Sequence, residues 1–271
     1  MYTQRLKRIL AQRPNEVRVG IVGAGAMGKG ILYQLLITPG VRCVGLADIK
    51  LDVATGCAEE LGIPYRVVET PAAVEAAISE GVLPIAEDGM LIAGCEQMDV
   101  FVESSSAIIP GAAFVMRALD NGKHVNLMNA EIDLIFGPWF ARRAREQGVI
   151  CTSCDGDQHT VLRSLIEDLT FWGFELVMAG NVKGFLGRYA DPTSIIPEAD
   201  KRRLDYKMCT AYTDGTKLCI EMAIIANMLK LRTEKPGMTG PRAGHVDEVT
   251  GLFDFDRIRA ETHLTLPPGG L

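Results

Sequence analysis

Short apolar runs rich in β-branched residues alternate with longer amphipathic stretches over residues 17–154. Apolar runs with few polar interruptions are typical of strands buried on both faces of a parallel sheet. Strands are predicted at residues 17–22, 41–47, 98–103, 124–127 and 149–152. Helices are predicted at residues 27–37, 51–61, 71–77, 109–121 and 138–147. The alternation predicts an α/β fold with a doubly wound parallel sheet.

The pattern changes after Cys154. It predicts a helix at residues 158–172, a strand at 175–179, a segment rich in glycine and proline at 180–197, and a long helix at 201–231. Turn residues predict loops at 80–94 and from Arg232 onward, and the ending LPPGGL suggests a chain cut short of a natural domain end. We expect two domains, residues 1–154 and a smaller α+β substrate or oligomerisation domain at 155–271.

A glycine motif follows the first predicted strand, as Gly23-Ala24-Gly25-Ala26-Met27-Gly28. The first glycine allows a sharp turn, the second lets a diphosphate approach the backbone, and the third lets the helix lie close to the sheet. The free N–H groups of the helix start, at Ala26 and Met27, attract phosphate. A tight turn alone would explain the glycines. Strand, glycines, helix and an acidic residue after the next strand together predict a Rossmann-type dinucleotide site.

Asp48 is that acidic residue, and its carboxylate is suited to the ribose hydroxyls of NAD. Lys50, two residues on, either holds the 2′-phosphate of NADP as a point charge or is an ordinary surface lysine, so the sequence leaves NAD and NADP open. The small-residue loop containing Ser104 and Ser105 is expected either near the nicotinamide or as a cap of the following helix.

Net charge, the length of the apolar runs and the number of cysteines exclude some classes of function. The chain has 271 residues, 34 acidic against 28 basic side chains, and a net charge of -6, which disfavours nucleic acid and anionic membranes as partners. The longest apolar run, residues 222–229, is too short to span a bilayer, and the basic N-terminus carries no export signal. The odd number of scattered cysteines, 7, suits free thiols, so we expect a cytoplasmic protein.

Polar residues cluster where the predicted sheet ends. Asp155, Asp157 and Gln158 lie at the edge where open α/β sheets bind ligands, although one of the acids is equally expected to cap the next helix. Asn181 and Lys183 lie between glycines, so Lys183 is expected to bind a substrate carboxylate or phosphate, or to be exposed on a turn. Cys151 and Cys154 form a lone CxxC, which we interpret as packing residues, and no metal site is expected.

A charged trio lies in an otherwise apolar segment. Asp214 and Lys217 are three residues apart, and Glu221 follows four residues later, which predicts one shared helix face. Buried charges are costly unless they are paired or used in catalysis. A buried lysine beside carboxylates can supply the proton that a carbonyl needs on reduction, and a purely structural ion pair is the other interpretation.

Two groups of motifs resemble a known family. The stretch DVFVESSSAIIPGAAFVMRALDNGKHVNLMNAE resembles the nucleotide domain of homoserine dehydrogenases. The segments CDGDQHTVLRSLIEDL, AGNVKGF and YTDGTKLCIEMAIIAN resemble a branch of that family that often carries a C-terminal SAF domain. That branch includes reductoisomerase-like enzymes acting on 1-deoxy-D-xylulose 5-phosphate. The family's Asn-Lys pair is replaced here by Asn129-Ala130, so the role of that lysine is not transferred.

The resemblance implies an NAD(P)-dependent oxidoreductase acting on the CH–OH group of a small polar hydroxy or keto compound. It implies catalytic roles for Lys217 and Asp214, supports one for Lys183, and implies a homo-oligomer. The absent SAF domain suggests a truncated or shortened member. One alternative is a reductoisomerase that needs NADPH and a divalent metal. Another is a non-catalytic dinucleotide sensor.

Overall fold

The computed structural model of the chain describes residues 2–12, 15–184, 186–233 and 235–262. The end of the predicted loop-like tail, residues 263–271, lies outside the described residues. The chain divides into two compact units between Asp157 and Gln158, three residues after the boundary expected from the sequence.

The first unit alternates strands and helices. Its strands are β1 (Val17–Val22), β2 (Val41–Ala47), β3 (Tyr65–Val67), β4 (Leu83–Ala86), β5 (Val100–Glu103), β6 (His124–Leu127) and β7 (Cys151–Ser153). Its helices are α1 (Tyr2–Ala11), α2 (Ala26–Ile37), α3 (Leu51–Glu60), α4 (Pro71–Ser79), α5 (Gly89–Ala93), α6 (Ile109–Asp120) and α7 (Ala130–Gln147).

The strands form one parallel sheet in the order β3-β4-β2-β1-β5-β6-β7. The predicted doubly wound sheet is therefore confirmed. Strand order reverses between β1 and β5, where Val22 pairs with Glu103 in register. Ligands of open α/β sheets bind beyond the carboxyl ends of the strands at such a switch point.

Two buried clusters cover the two faces of the sheet. Along β5, Phe101 belongs to one cluster and Val102 to the other, and Val22 and Ile21 divide in the same way along β1. Successive side chains of a strand point to opposite faces, so this alternation fixes which residues face which helix layer. The carboxyl ends of β1 and β5 are thereby held between two packed layers.

The prediction of a loop at residues 80–94 is wrong. This stretch contains β4, whose four residues are all buried, and the short helix α5, which begins after the Asp88 carboxylate accepts a hydrogen bond from Met90 N (2.8 Å). The turn residues on either side of the strand, and Pro84 within it, are untypical of a strand in the middle of a sheet, since proline lacks the N–H that a sheet uses. Parallel pairing with β2 and β3 nevertheless holds β4 inside the sheet.

Helix α7 begins earlier than predicted. The sequence places its start at Pro138, but the helix starts at Ala130 and Pro138 lies inside it. The Asn129 side chain accepts a hydrogen bond from Ile132 N (3.3 Å) and so caps the true start. A proline removes one helical hydrogen bond, and here the helix continues through that position.

The described residues of the second unit are largely helical. They form α8 (Gln158–Phe171), α9 (Ile196–Arg202), α10 (Tyr206–Asp214), α11 (Thr216–Leu229), a 3-10 helix (Val246–Gly251) and α12 (Phe255–Thr262). The last two lie in the tail predicted as loop. The strand predicted at residues 175–179 does not form, and this segment has no regular secondary structure or ladder partner in the described chain.

The prediction of one long helix at residues 201–231 is also wrong, because this stretch forms separate helices. Arg203 and Gly215 both adopt a left-handed conformation, with φ of 55° and 95°, and they end α9 and α10. Left-handed residues terminate helices, and glycine does so without a Cβ penalty. Leu218, Met222 and Ile225 of α11 then pack against Leu162 of α8.

Candidate functional site

The glycine turn between β1 and α2 has no room for side chains at two of its glycines. Gly23 has a φ of 97°, and a Cβ built on it would lie 2.5 Å from the backbone nitrogen of Ser105. A Cβ on Gly28 would lie 1.8 Å from the carbonyl oxygen of Gly23. Gly28 therefore allows the helix to approach the turn itself, in agreement with the close packing predicted for this position.

The middle glycine has a different environment. No heavy atom lies within 4 Å of a Cβ built on Gly25, so packing within the first unit does not require a glycine there. Gly25, Ala26 and Met27 are all exposed, and Met27 has 56% of its surface accessible. Gly25 is the N-cap of α2 and supplies no side-chain cap to its N–H groups. An open helix start of this kind fits a diphosphate.

Asp48, at the end of β2, lies against the same turn. Its Oδ2 accepts a hydrogen bond from Ala24 N (2.8 Å), and its Oδ1 accepts one from Lys50 N (2.9 Å). Each carboxylate oxygen has two lone pairs, so ribose hydroxyls can still be bound. The Lys50 side chain is exposed. These residues fit the adenosine end of a dinucleotide.

The loop after β5 rests on the glycine turn. Ser104 N and Ser104 Oγ both donate to Val22 O, at 2.8 Å and 3.0 Å, and Ser104 Oγ also lies 2.7 Å from Gly23 O. Ser105 is half-buried beside it. The structure thus brings together the predicted cofactor residues of the β1 and β5 loops. The position of the nicotinamide relative to these serines stays a prediction.

Glu103, the last residue of β5, is a site residue that the sequence reasoning missed. It is fully buried (0% exposed), and its Oε1 accepts hydrogen bonds from Ser105 N (3.1 Å) and Ser105 Oγ. Burial raises the pKa of its carboxyl group to about 7, because desolvation outweighs the Ser105 hydrogen bonds that favour the charged form. An acidic residue ending an apolar strand was the available signal.

In the second unit, Gln158 and Asn181 are brought together. Asn181 Nδ2 donates a hydrogen bond to Gln158 Oε1, which places the irregular segment after residue 179 beside the start of α8. Ala179 packs against the cluster formed by Leu218 and Met222 of α11. Two predicted substrate-binding residues therefore lie next to each other near the helix that carries Lys217.

Lys217 and Glu221 form a buried ion pair on α11. Lys217 Nζ lies 3.9 Å from Glu221 Oε1, and the two residues are only 8% and 4% exposed. The predicted spacing of four residues thus pairs the two groups. The trio does not share one helix, however, because Asp214 ends α10 and Gly215 separates it from α11. The Asp214 carboxylate instead accepts a hydrogen bond from Thr216 N (2.7 Å) at the start of α11.

The remaining candidates differ in how far they are exposed. Lys183 is half-buried in an irregular segment, Asp155 is exposed and Asp157 is half-buried. Burial raises the pKa of the Cys151 thiol to about 12, and the side chain packs against one core cluster of the first unit. Among the residues placed by the structure, no helix is long and apolar enough to cross a membrane, and no three acidic, histidine or cysteine side chains form a metal-binding group.

Comparison with protein families gives one match. Residues 156–260, which include all of α8 through α11, match the family described as "Oxidoreductase DRL, catalytic domain". Gln158, Asn181, Lys183, Asp214, Lys217 and Glu221 all fall within this match. It covers less than half of the chain, and it begins close to the division between the two units.

Comparison with individual proteins gives partial matches. A homoserine dehydrogenase of Pseudomonas aeruginosa is 29% identical over 134 residues, which are 49% of this chain and 28% of that protein. The chain thus spans about a quarter of this relative's length. Among solved structures, a homoserine dehydrogenase from Thiobacillus denitrificans is 23% identical, covers 58% of this chain and 34% of its own, and has a TM-score of 0.44.

A biliverdin reductase from Synechocystis, solved with biliverdin and NADP+, is 18% identical, with 56% of this chain and 43% of its own covered and a TM-score of 0.41. At these values the solved structures are only partial likenesses. One sequence match is to an oxidoreductase family over residues 156–260, and the other is to a homoserine dehydrogenase over 134 residues of the chain. The chain is therefore similar to homoserine-dehydrogenase-like NAD(P)-dependent oxidoreductases, as its motifs predict.

Proposed function

We propose that this chain is an NAD(P)-dependent oxidoreductase that transfers a hydride between the nicotinamide and a carbon atom of a small polar hydroxy or keto compound. The observation that carries the proposal is the contrast within the glycine turn. Gly23 and Gly28 are required by packing, whereas Gly25 is exposed and has open space where a side chain would be. Open space at this glycine gives a diphosphate access to the backbone.

The first unit would bind the dinucleotide. The N–H groups of Gly25, Ala26 and Met27 would bind the diphosphate, and Asp48 the adenosine ribose. Lys50 would neutralise a 2′-phosphate if the cofactor is NADP. Ser104 and Ser105 would line the path toward the nicotinamide. The bound dinucleotide supplies or accepts the hydride, and the protein residues handle the proton and the orientation of the substrate.

The second unit would handle the substrate, in keeping with its match to an oxidoreductase catalytic domain. In the direction of reduction, Lys217 would donate a proton to the carbonyl oxygen as that oxygen gains negative charge, and Glu221, its ion-pair partner, would hold the Lys217 side chain in place. Oxidation reverses both transfers. Asp214 would support Lys217 by fixing the start of α11.

Substrate binding would involve the amides of Gln158 and Asn181, which already contact each other. Lys183 would contribute a positive charge for a substrate carboxylate or phosphate. Asp155 and Asp157, at the edge of the first unit, would bind substrate hydroxyls. A homo-oligomer is also expected, because Val161 and Leu165 of α8 and Trp172, just after its end, expose 51%, 51% and 67% of their surface. Light scattering on purified protein tests the oligomer.

The cytoplasm is the compartment we propose. The cysteines at positions 43, 57, 95, 151, 154, 209 and 219 are all free thiols, which suits a reducing compartment. Fractionation of cells producing the tagged protein tests this assignment. Recovery from an oxidising compartment would contradict it.

The deciding experiment follows cofactor absorbance across a library of hydroxy acids, keto acids, aldehydes and sugar phosphates, with NADH and NADPH in parallel. Lys217→Ala should lose at least a hundredfold in kcat and still bind cofactor, since general acid catalysis contributes about 10²–10⁴-fold. Lys201→Ala, at an exposed lysine of α9, is the matched control and should keep full turnover. Full turnover by Lys217→Ala would remove this mechanism.

The same screen distinguishes the alternatives. Tight cofactor binding with no turnover of any library member would favour a non-catalytic sensor. Turnover confined to 1-deoxy-D-xylulose 5-phosphate, dependent on NADPH and abolished by EDTA, would favour a reductoisomerase. If calorimetry detects no binding of NADH or NADPH to the folded protein, the proposed oxidoreductase, the sensor and the reductoisomerase are all excluded.

A further inference from the structure

The carboxyl group of Glu103 lies at the centre of a small network behind the candidate dinucleotide site. Its Oε1 accepts hydrogen bonds from both the backbone N–H and the hydroxyl of Ser105. A Cβ built on Gly111, in the first turn of α6, would lie 3.2 Å from Oε1. The carboxyl group is thus enclosed between β5, the serine loop and the start of α6.

The network determines which oxygen can carry a proton. Ser105 Oγ accepts a hydrogen bond from Ala107 N (3.2 Å), so its own proton is available for Glu103 Oε1. Oε1 therefore acts only as an acceptor. Glu103 Oε2 has no hydrogen-bond partner in the described parts of the chain, although it is buried. A proton on Glu103 would lie on Oε2, and without it a charged oxygen remains buried there.

The charges around Glu103 favour its protonated form. The acidic residue Glu131, at the start of α7, acts on the pKa of Glu103 in the same direction as burial. The Asn129 amide, whose Nδ2 donates to Ala107 O (3.1 Å), acts in the opposite direction. The residues that pair with Glu103 on β1 and β6, Val22 and Leu127, are not ionisable. The pKa of about 7 leaves both forms populated near neutral pH.

The network also touches the glycine turn directly. Ser105 N is the atom 2.5 Å from a Cβ built on Gly23, and Ser104 Oγ lies 2.7 Å from Gly23 O. Glu103 holds Ser105, and the adjacent Ser104 holds the turn. Glu103 and the backbone that would bind the diphosphate are thus connected through one pair of adjacent serines.

We infer that Glu103 is a positioning residue of the dinucleotide site, which holds the Ser104–Ser105 loop against the glycine turn and takes up a proton when a dinucleotide binds. This inference rests on the proposed function. A bound diphosphate adds negative charge beside the turn, and negative charge close to a buried carboxyl group favours its protonated form. Binding and protonation must then strengthen each other equally, because linkage is reciprocal.

Linkage fixes the direction and the size of the pH dependence of the Kd. Below the pKa of the free protein, Glu103 is already protonated and binding is strongest. Above the pKa of the complex it is charged in both states and binding is weakest. If binding raises the pKa by one unit, the Kd at pH 8 is about fivefold weaker than at pH 6. Near pH 7, where about half of the free protein carries the proton, binding should take up a fraction of a proton.

The experiment measures the Kd of NADH, and that of NADPH in parallel, by calorimetry at pH 6, 7 and 8. Two buffers with different ionisation enthalpies are used so that proton uptake is measured directly. The wild-type protein is compared with Glu103→Gln, which keeps an acceptor for Ser105 and mimics the protonated form. Glu80→Gln is the matched control, since Glu80 is an exposed glutamate of the same unit paired with Arg66. Circular dichroism checks that each variant is folded.

We expect wild type and Glu80→Gln to bind about fivefold more weakly at pH 8 than at pH 6 and to take up protons, whereas Glu103→Gln binds equally at both. If Glu103→Gln does not fold, Ser105→Ala replaces it. Loss of the Ser105 hydroxyl raises the pKa of Glu103, so the midpoint of the change in Kd with pH should move to higher pH. A Kd independent of pH in the wild type, or the same pH dependence in Glu103→Gln, overturns the inference alone. Absence of NADH and NADPH binding at every pH overturns the proposed function as well.

Discussion

The Asp48 carboxylate accepts a hydrogen bond from the backbone N–H of Ala24. The acidic residue after β2 is thus joined directly to the glycine turn after β1. The second carboxylate oxygen receives the N–H of Lys50. Asp48 therefore shapes the turn even before any ligand is considered. Changes at Asp48 should affect both the conformation of the turn and the choice of cofactor.

Substitution at Asp48 and Lys50 should change cofactor preference in opposite directions. Asp48→Asn removes the negative charge that repels a 2′-phosphate and keeps an acceptor for Ala24 N, so the ratio of NADPH to NADH affinity should rise about tenfold or more. Lys50→Ala should lower this ratio if Lys50 binds that phosphate. Fluorescence titration with both nucleotides measures the ratio. An unchanged ratio in Lys50→Ala would identify it as a surface lysine.

The two kinds of glycine in the turn should respond differently to alanine. Gly25→Ala introduces a methyl group into open space at an ordinary φ of −62°, so the free energy of unfolding should change by less than about 1 kcal/mol. Dinucleotide affinity should nevertheless fall about tenfold or more, because the methyl group occupies the approach of the diphosphate. Denaturant unfolding and calorimetry on the same protein measure both quantities.

Gly28→Ala is the matched comparison. Its methyl group would meet the Gly23 carbonyl oxygen at 1.8 Å, so the backbone must move and stability should fall by about 1–3 kcal/mol. Equal losses of stability in both variants would contradict the distinction between a packing glycine and a ligand-facing glycine. Full affinity in Gly25→Ala would argue against a diphosphate at this turn.

Sequence patterns predicted those parts of the fold that local physical chemistry determines. Strands β1, β2 and β6 have the predicted bounds, because apolar residues recur in each of them between turn residues. Strand β4 was missed because its stability comes from parallel neighbours that lie far away in sequence. Arg203 is a similar case, since a left-handed residue other than glycine or asparagine leaves little sign in the sequence.

The candidate site divides in the same way. The glycines and Asp48 form a local motif with fixed spacing, and Lys217 and Glu221 are paired by helical geometry alone. Glu103 depends on burial by α6 and on hydrogen bonds from the serine loop. That environment is tertiary, so a single sequence shows only an acidic residue at the end of a strand. The break at Gly215 likewise separates Asp214 from the helix face that periodicity assigned to it.

The buried pair of Lys217 and Glu221 should be costly to break and less costly to replace. Glu221→Ala leaves a buried ammonium group without its carboxylate, so the free energy of unfolding should fall by about 3–5 kcal/mol. The double variant Lys217→Met/Glu221→Leu removes both charges and keeps the volume, and it should recover much of that loss. Urea unfolding of the single and double variants measures the coupling. Strictly additive losses would show that the two groups act independently.

Glu103 should make stability depend on pH in the folded protein without any ligand. Its folded pKa of about 7 lies above that of an unfolded glutamate, so the folded state holds the proton more tightly between these two values. Stability from this group is therefore present at low pH and is lost as the pH rises toward 7, with a total on the order of 3 kcal/mol. Glu103→Gln should remove this loss and be more stable than the wild type at pH 8. Urea unfolding of both proteins at pH 5 and pH 8 measures the difference. If the stability of the wild type changes with pH in the same way as that of Glu103→Gln, Glu103 does not hold the proton.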